Sequence, residues 1–220
     1  MSAQRIQTPA DVDGVRVDVV VTSGTFSLDG GTWEVDNNVY VIGTDSQCLI
    51  IDAAHDAAPI LEAVNGREVQ GILLTHGHDD HIRVARELAD ATGAAIYLHP
   101  DDWFLYRQVF DADPDEALAD GQTFAVGEVD LRVLHTPGHA PGACVFHVPA
   151  LATVFSGDTL FNGGPGATGR SFSDFDTIVD SISERLLTLP SETLVLTGHG
   201  GSTSIGAEAP HRQEWIDRGH

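Results

Sequence analysis

The chain contains no lysine: its 11 basic side chains are all arginines, set against 33 aspartates and glutamates, for a formal charge of −22 over 220 residues. A surface so poor in positive charge repels phosphate backbones and anionic lipid, which argues against nucleic acid and membrane surfaces as non-specific partners. Only two cysteines occur, Cys48 in "QCLIID" and Cys144 in "GACVFHV", so a disulfide framework is not expected and buried free thiols are. No stretch approaches the roughly 20 apolar residues of a membrane span, and "MSAQRIQTPADVDG" holds no hydrophobic run of signal-peptide length. The expectation is a cytoplasmic protein acting on a small molecule, as a monomer or homodimer.

What is present is an ordinary globular composition, 42% hydrophobic with 7% aromatics, long enough for one buried core, so residues 1–220 are read as a single domain. β-Branched and apolar runs predict strands at 15–21, 37–43, 48–52, 71–75, 95–99, 129–136, 143–148, 153–157 and 193–198. Helical spacing lies between them in "APILEAVNG", "IRVARELADATG" and "DFDTIVDSISERLLTLP", and less clearly in "DDWFLYRQVF". Strands outnumber helices and helices fall between strand groups, which predicts an α/β sandwich of sheets with helices outside.

Residues 75–83 read "THGHDDHIR", crowding His76, His78 and His81 around Asp79 and Asp80. Other predicted strands end near His139, Asp158 and His199, so His and Asp gather where α/β sheets place their sites. Imidazole and carboxylate without thiol suit borderline or hard divalent metals. His76 and His78 are spaced to chelate one ion, with His139 completing the set. Asp80 and His81 point to a second position that His199 would complete, and Asp158, with two oxygens, can bridge both. The other histidines, His55, His99, His135, His147, His211 and His220, lack this placement, although His135 is near enough to border the site.

In this order and spacing, "THGHDDH", "TPGHAPGA", "FSGDTLF" and "TGHG" resemble the motifs of the metallo-β-lactamase superfamily, and within it the glyoxalase II-like hydrolases. The resemblance implies an αββα sandwich of two mixed sheets flanked by helices. It implies a two-metal site, zinc first with iron or manganese as alternatives, held by His76, His78, His139, Asp80, His81, His199 and the bridging Asp158. Asp80 would also orient the attacking hydroxide. Asp52 matches an acid that braces the metal loop, with a helix N-cap as its other reading. Arg170 in "TGRSFSD" matches an arginine that anchors the loop after the bridging aspartate.

Phe161, Asn162 and Arg83 are candidate substrate contacts, since "LFNGGPGATGR" would shape the substrate side and "IRVA" departs from the small residues usual after the metal motif. The activity implied is hydrolysis of S-acyl conjugates of a low-molecular-weight thiol. A mononuclear-iron persulfide dioxygenase and a lactone or ester hydrolase are the alternatives. Only 21 residues follow His199, and no lysine is available to clamp a glutathione carboxylate, which leaves the thiol open.

Overall fold

Successive residues of a strand point to opposite faces, and the central strands of this chain are apolar on both. Val39, Val41, Cys48, Ile50 and Ile72 face one cluster, while their neighbours Tyr40, Ile42, Leu49, Ile51 and Leu73 face another. Both faces are therefore covered.

In the computed structural model, which describes residues 3–219, the first sheet runs in chain order: β1 (Gln4–Ile6), β2 (Arg16–Leu28), β3 (Gly31–Gly43), β4 (Gln47–Ile51), β5 (Glu68–Leu73), β6 (Ile96–Leu98) and β7 (Glu116–Ala117). The second is built from β8 (Thr123–Val126), β9 (Val129–His135), β10 (Cys144–Val148) and β11 (Thr153–Gly157). A short ribbon of β12 (Leu160–Phe161) and β13 (Gly164–Pro165) precedes its last strands, β14 (Leu194–Thr197) and β15 (Thr203–Ser204). Its order is β15-β14-β11-β10-β9-β8, with β11 and β14 parallel. His220 lies outside the described residues.

Val133, Phe146, Phe155 and Leu196 of the second sheet pack on the inner face of the first. Helices α1 (Ala57–Val64), α2 (Asp79–Ile82), α3 (Ala85–Thr92) and α4 (Trp103–Val109) cover the first sheet's outer face. On the other side, α5 (Phe175–Ser181), α6 (Ile205–Glu208) and α7 (Arg212–Arg218) cover the second, with Trp215 fully buried there. This is the αββα sandwich that the motifs implied. Cys48 and Cys144 are buried free thiols.

Two elements differ from the sequence reading. The helix expected through "IRVARELADATG" begins only at Ala85, with Ile82 ending the preceding α2, because the backbone at Ala53 competes for the hydrogen bonds between them: Ala53 N–H donates to His81 O (2.7 Å) and Val84 N–H to Ala53 O (3.0 Å). The second is a hairpin that the strand readings at 15–21 and 37–43 cut short. β2 and β3 pair from Arg16–Gly43 to Leu28–Gly31 around Asp29 (φ 52°) and Gly30 (φ 77°), the two-residue turn with both φ positive that suits a twisted hairpin. Its outer half is only partly buried because it extends toward the site rather than into the core.

Candidate metal centre

Four loops after strands bring the histidines and aspartates together. β5 runs through Leu74 and Thr75 into His76-Gly77-His78, and α2 begins at once, with Asp80 and His81 in its single turn. His139 lies four residues past β9, Asp158 directly after β11, and His199 two residues past β14. All seven residues named from the sequence converge.

Their hydrogen bonds fix which ring nitrogens are free. The Nδ1 of His139 faces the carbonyl of Ala167 (2.9 Å), and Nδ1 of His199 faces that of Asp36 (2.7 Å). Nδ1 of His81 faces the Asp52 carboxylate (2.9 Å). A carbonyl or carboxylate only accepts, so these Nδ1 atoms carry protons and each Nε2 is the ring nitrogen left for a metal to take.

Those Nε2 atoms converge on the centre. His81 Nε2 and His199 Nε2 are 3.2 Å apart, with Asp80 Oδ2 at 3.5 and 3.4 Å from them. Asp158 completes the ring, Oδ1 at 3.4 Å from His81 and Oδ2 at 3.3 Å from His199. On the other side His139 Nε2 lies 3.0 Å from His78 Nδ1 and 3.6 Å from Asp158 Oδ2. His76 Nε2 and Asp158 Oδ1 are buried without a hydrogen-bond partner. Converging ring nitrogens and orphaned buried polar atoms are what a cation position leaves behind, and the donor set fits one in each of two clusters: His76, His78, His139, and Asp80, His81, His199. Asp158 reaches both.

The two clusters carry different charge. Burial, helped by neighbouring His139, holds His78 down at about 3, and burial likewise lowers His76 and His139, so this trio is neutral and ready to ligate. Burial also opposes charge at His199, but Asp158 and Asp80 outweigh it and raise this histidine to about 10. Asp80, Asp158 and Asp52 raise His81 in the same way against its burial. Asp158 is held well below the usual carboxylate range despite burial, because His81 and His199 face it. Protons on two histidines thus take the place of positive charge that the second cluster's carboxylates call for.

A ring of supporting contacts holds these groups. Asp52, itself at φ 64°, accepts from Thr75 N–H (2.8 Å), from Thr75 Oγ1 (3.0 Å) and from His81. The N-cap of α1 is Asp56, not Asp52. Asp102 was not singled out from sequence. Fully buried, it accepts from Gly77 N–H (2.8 Å) in the first metal loop and from Gly142 N–H (2.6 Å) in the loop of His139, tying the two together. A Cβ on either glycine would come within 2.9 Å of Asp102 atoms, so both positions need glycine. Burial raises Asp102 to about 6. His55, passed over in the sequence reading, reaches the centre at one remove. Its Nε2 contacts Asn37 Oδ1 (2.7 Å), and Asn37 Nδ2 donates to Asp80 (2.9 Å).

Above the centre a cavity of about 190 Å³ is floored by His78, Asp80, His139, Asp158 and His199 and walled by Phe26, Trp33 and Val35 of the hairpin and by Arg170, Ser171 and Ser173 of the opposite loop. The Arg170 guanidinium stacks 3.7 Å from the Trp33 ring centre, with Nη1 buried and unpartnered. Ser171 N–H and Oγ donate to Asp29 at the hairpin tip (3.0 and 2.6 Å), latching the two walls together.

The three candidate substrate contacts are not among the residues lining this cavity. Arg83 pairs with Asp79 and donates to Thr25 O (3.1 Å), fastening the hairpin from outside, while Ile82 sits in the helix-side core. Asn162 is exposed in the turn between β12 and β13. Phe161 approaches the His199 ring, at 6.2 Å between centres. Chain proximity to the motifs suggested all three, but the short ribbon turns this segment away before it returns at Ala167.

A family model described as the metallo-β-lactamase superfamily matches residues 32–199. The probable metallo-hydrolase YqgX of Bacillus subtilis is 35% identical over 189 residues, spanning 79% of this chain and 90% of that protein. Hydroxyacylglutathione hydrolase GloC of Haemophilus influenzae is 30% identical over 180 residues, spanning 74% and 85%. A crystal structure of TTHA1623 in a di-iron-bound form is 35% identical with a TM-score of 0.70, covering 80% of this chain and 93% of that one.

Proposed function

The chain belongs to the metallo-β-lactamase superfamily, and from that premise we propose that it is a thioesterase that hydrolyses S-acyl conjugates of a low-molecular-weight thiol at a two-metal centre. The observation that carries the reading is the pair of converging clusters, with Asp158 reaching both, at the floor of a cavity. His76, His78 and His139 would hold one ion, Asp80, His81 and His199 the other, with Asp158 between them, and zinc is the first choice, iron or manganese the next. Divalent ions held there supply Lewis acidity and a hydroxide nucleophile at neutral pH.

The cavity lining supports a thioester as the bond cleaved. Apart from the ligand set, the cavity is walled by apolar and hydroxyl side chains and Arg170, with no carboxyl or imidazole placed to protonate a leaving group. An amide nitrogen needs that proton. A thiolate, whose acid has a pKa of about 8.5, does not. Burial opposes charge on Asp80, but His81 and His199, with a hydrogen bond from Asn37, outweigh it and hold it at about 2, so it stays ionised and able to orient an attacking hydroxide. The aromatic hairpin wall excludes water from the acyl group, and Arg170, stacked on Trp33, presents positive charge to an anionic part of the substrate. Similarity to a hydroxyacylglutathione hydrolase supports the thioester class, without deciding the thiol.

The test is thiol release, read with a colorimetric thiol reagent, from a panel of S-acyl thiols incubated with metal-analysed protein. Release that Asp158→Ala abolishes is expected, and the ranking within the panel names the thiol. Silence across the panel, with oxygen consumption on persulfides, would replace this reading with the dioxygenase.

A further inference from the structure

We propose that His55 is a positioning residue of the second cluster: its imidazole sets the Asn37 amide, and that amide sets Asp80 for the ion. The inference rests on the two-metal reading above. An ionised carboxylate only accepts, so the Asn37 atom 2.9 Å from Asp80 Oδ2 is the Nδ2 donor. Oδ1 of the same amide then faces His55 Nε2 at 2.7 Å, and that nitrogen must carry a proton. Each partner's chemistry fixes the next, from Asp80 out to His55.

Asn37 is fully buried, so its Oδ1 would go unsatisfied without this donor. Its Nδ2 also stands 3.5 Å from His199 Nε2, so a turned amide would disturb two ligands of one ion. His55 is held in place against local preference. Asp56 N–H reaches the Ala54 carbonyl at 2.7 Å, closing a three-residue turn with His55 at its centre and φ at 53°, which is unfavourable for a residue with a β carbon. The Nδ1 of its ring is buried with no hydrogen-bond partner. Gly24 on β2 makes room for the ring, since a Cβ there would overlap it. Thr22, which pairs with Asn37 across the hairpin ladder, donates its hydroxyl to Ala54 O (3.1 Å) and ties the turn to the same strands. The unfavourable φ, the orphaned nitrogen and the glycine beside the ring all accompany one contact, His55 to Asn37.

Zinc competition with a chromophoric chelator tests this on the full chain, comparing wild type with His55→Ala, His55→Gly, His55→Gln and Asn37→Ala, and with the double Ala variant. Ala or Gly at position 55 is expected to weaken the second equivalent about 3- to 20-fold, a step below groups that bond a metal ligand directly, with the His76, His78, His139 position changed less than about twofold. Gln, whose amide can donate from the place of Nε2, is expected to restore most of the loss. Gly suits a positive φ, so His55→Gly should melt higher than His55→Ala yet bind zinc no better, which a purely structural role would not give. In the Asn37→Ala background, removing His55 is expected to weaken binding by less than about a further twofold. Unchanged binding in His55→Ala, affinity that follows melting temperature across the set, or a full additional loss in the double variant would overturn the proposal. A wild type that takes up only one equivalent would overturn the two-metal reading and the proposal with it. Should the variants not fold, the ring ¹⁵N spectrum of chelator-stripped wild type decides: a proton on Nε2 of His55 is expected, and a proton on Nδ1 alone overturns the proposal.

Discussion

Replacing Asp52 by asparagine alters one atom's chemistry at constant volume, which isolates its hold on His81. Oδ1 accepts from Thr75 N–H at 2.8 Å and from Thr75 Oγ1 at 3.0 Å, and an amide oxygen keeps both bonds. Oδ2, 2.9 Å from His81 Nδ1, becomes a donor facing a donor. His81 must then give up this bond or move its proton to Nε2, the atom that faces His199, Asp80 and Asp158. One charge-assisted hydrogen bond is worth about 1.5–3 kcal/mol, or a factor of roughly 10–150 in affinity. Competition for zinc with a chromophoric chelator reads this directly. The expected result is one equivalent weakened about 10- to 100-fold, in the range for groups that orient metal ligands, with the His76, His78, His139 position changed less than about threefold. Unchanged affinity, or equal weakening at both positions, would refute the argument that Asp52 acts through the His81 tautomer.

Asp102→Ala leaves the buried N–H groups of Gly77 and Gly142 unpaired, and urea unfolding should show a loss of at least about 2 kcal/mol together with weaker metal binding. Trp33→Ala removes the surface under Arg170 at a 42% exposed position, so KM for the thioester should rise about 5- to 30-fold with little change in melting temperature. Arg83→Ala, which frees the hairpin rather than a substrate contact, should cost less than about 1 kcal/mol and lower kcat/KM only a few-fold; a loss of several hundredfold would restore Arg83 to the substrate site. Metal entering the second cluster must displace protons from His199, raised to about 10, and from His81. Binding at pH 7 should therefore release protons and strengthen as pH rises from 6 to 8, measurable by calorimetry in buffers of different ionisation enthalpy.

The sandwich was legible because strand alternation and strand-end placement depend on local pattern alone. "THGHDDH" and the three later motifs located all seven converging residues for the same reason, each sitting just past a strand. What sequence hid depends on contacts distant in the chain. Nothing local marks Asp102 as the acceptor for two loops 25 and 40 residues away. The break between α2 and α3 comes from Ala53, not from any breaker within "IRVARELADATG". The hairpin did leave a signal, "LDGG", a Asp-Gly turn between alternating segments, but its outer half buries too little apolar surface to read as strand. Asn162 and Arg83 were placed by proximity in sequence, which the turns at β12–β13 and after α2 undo.

The most direct test of the central claim is the rate of thioester hydrolysis as zinc is returned to chelator-stripped protein, with His199→Ala carried alongside. The account predicts that the stripped protein is inactive, that the wild type recovers with added zinc, and that His199→Ala does not. Hydrolysis by the stripped protein at the full rate, or full recovery of His199→Ala at the same zinc concentration, would contradict it.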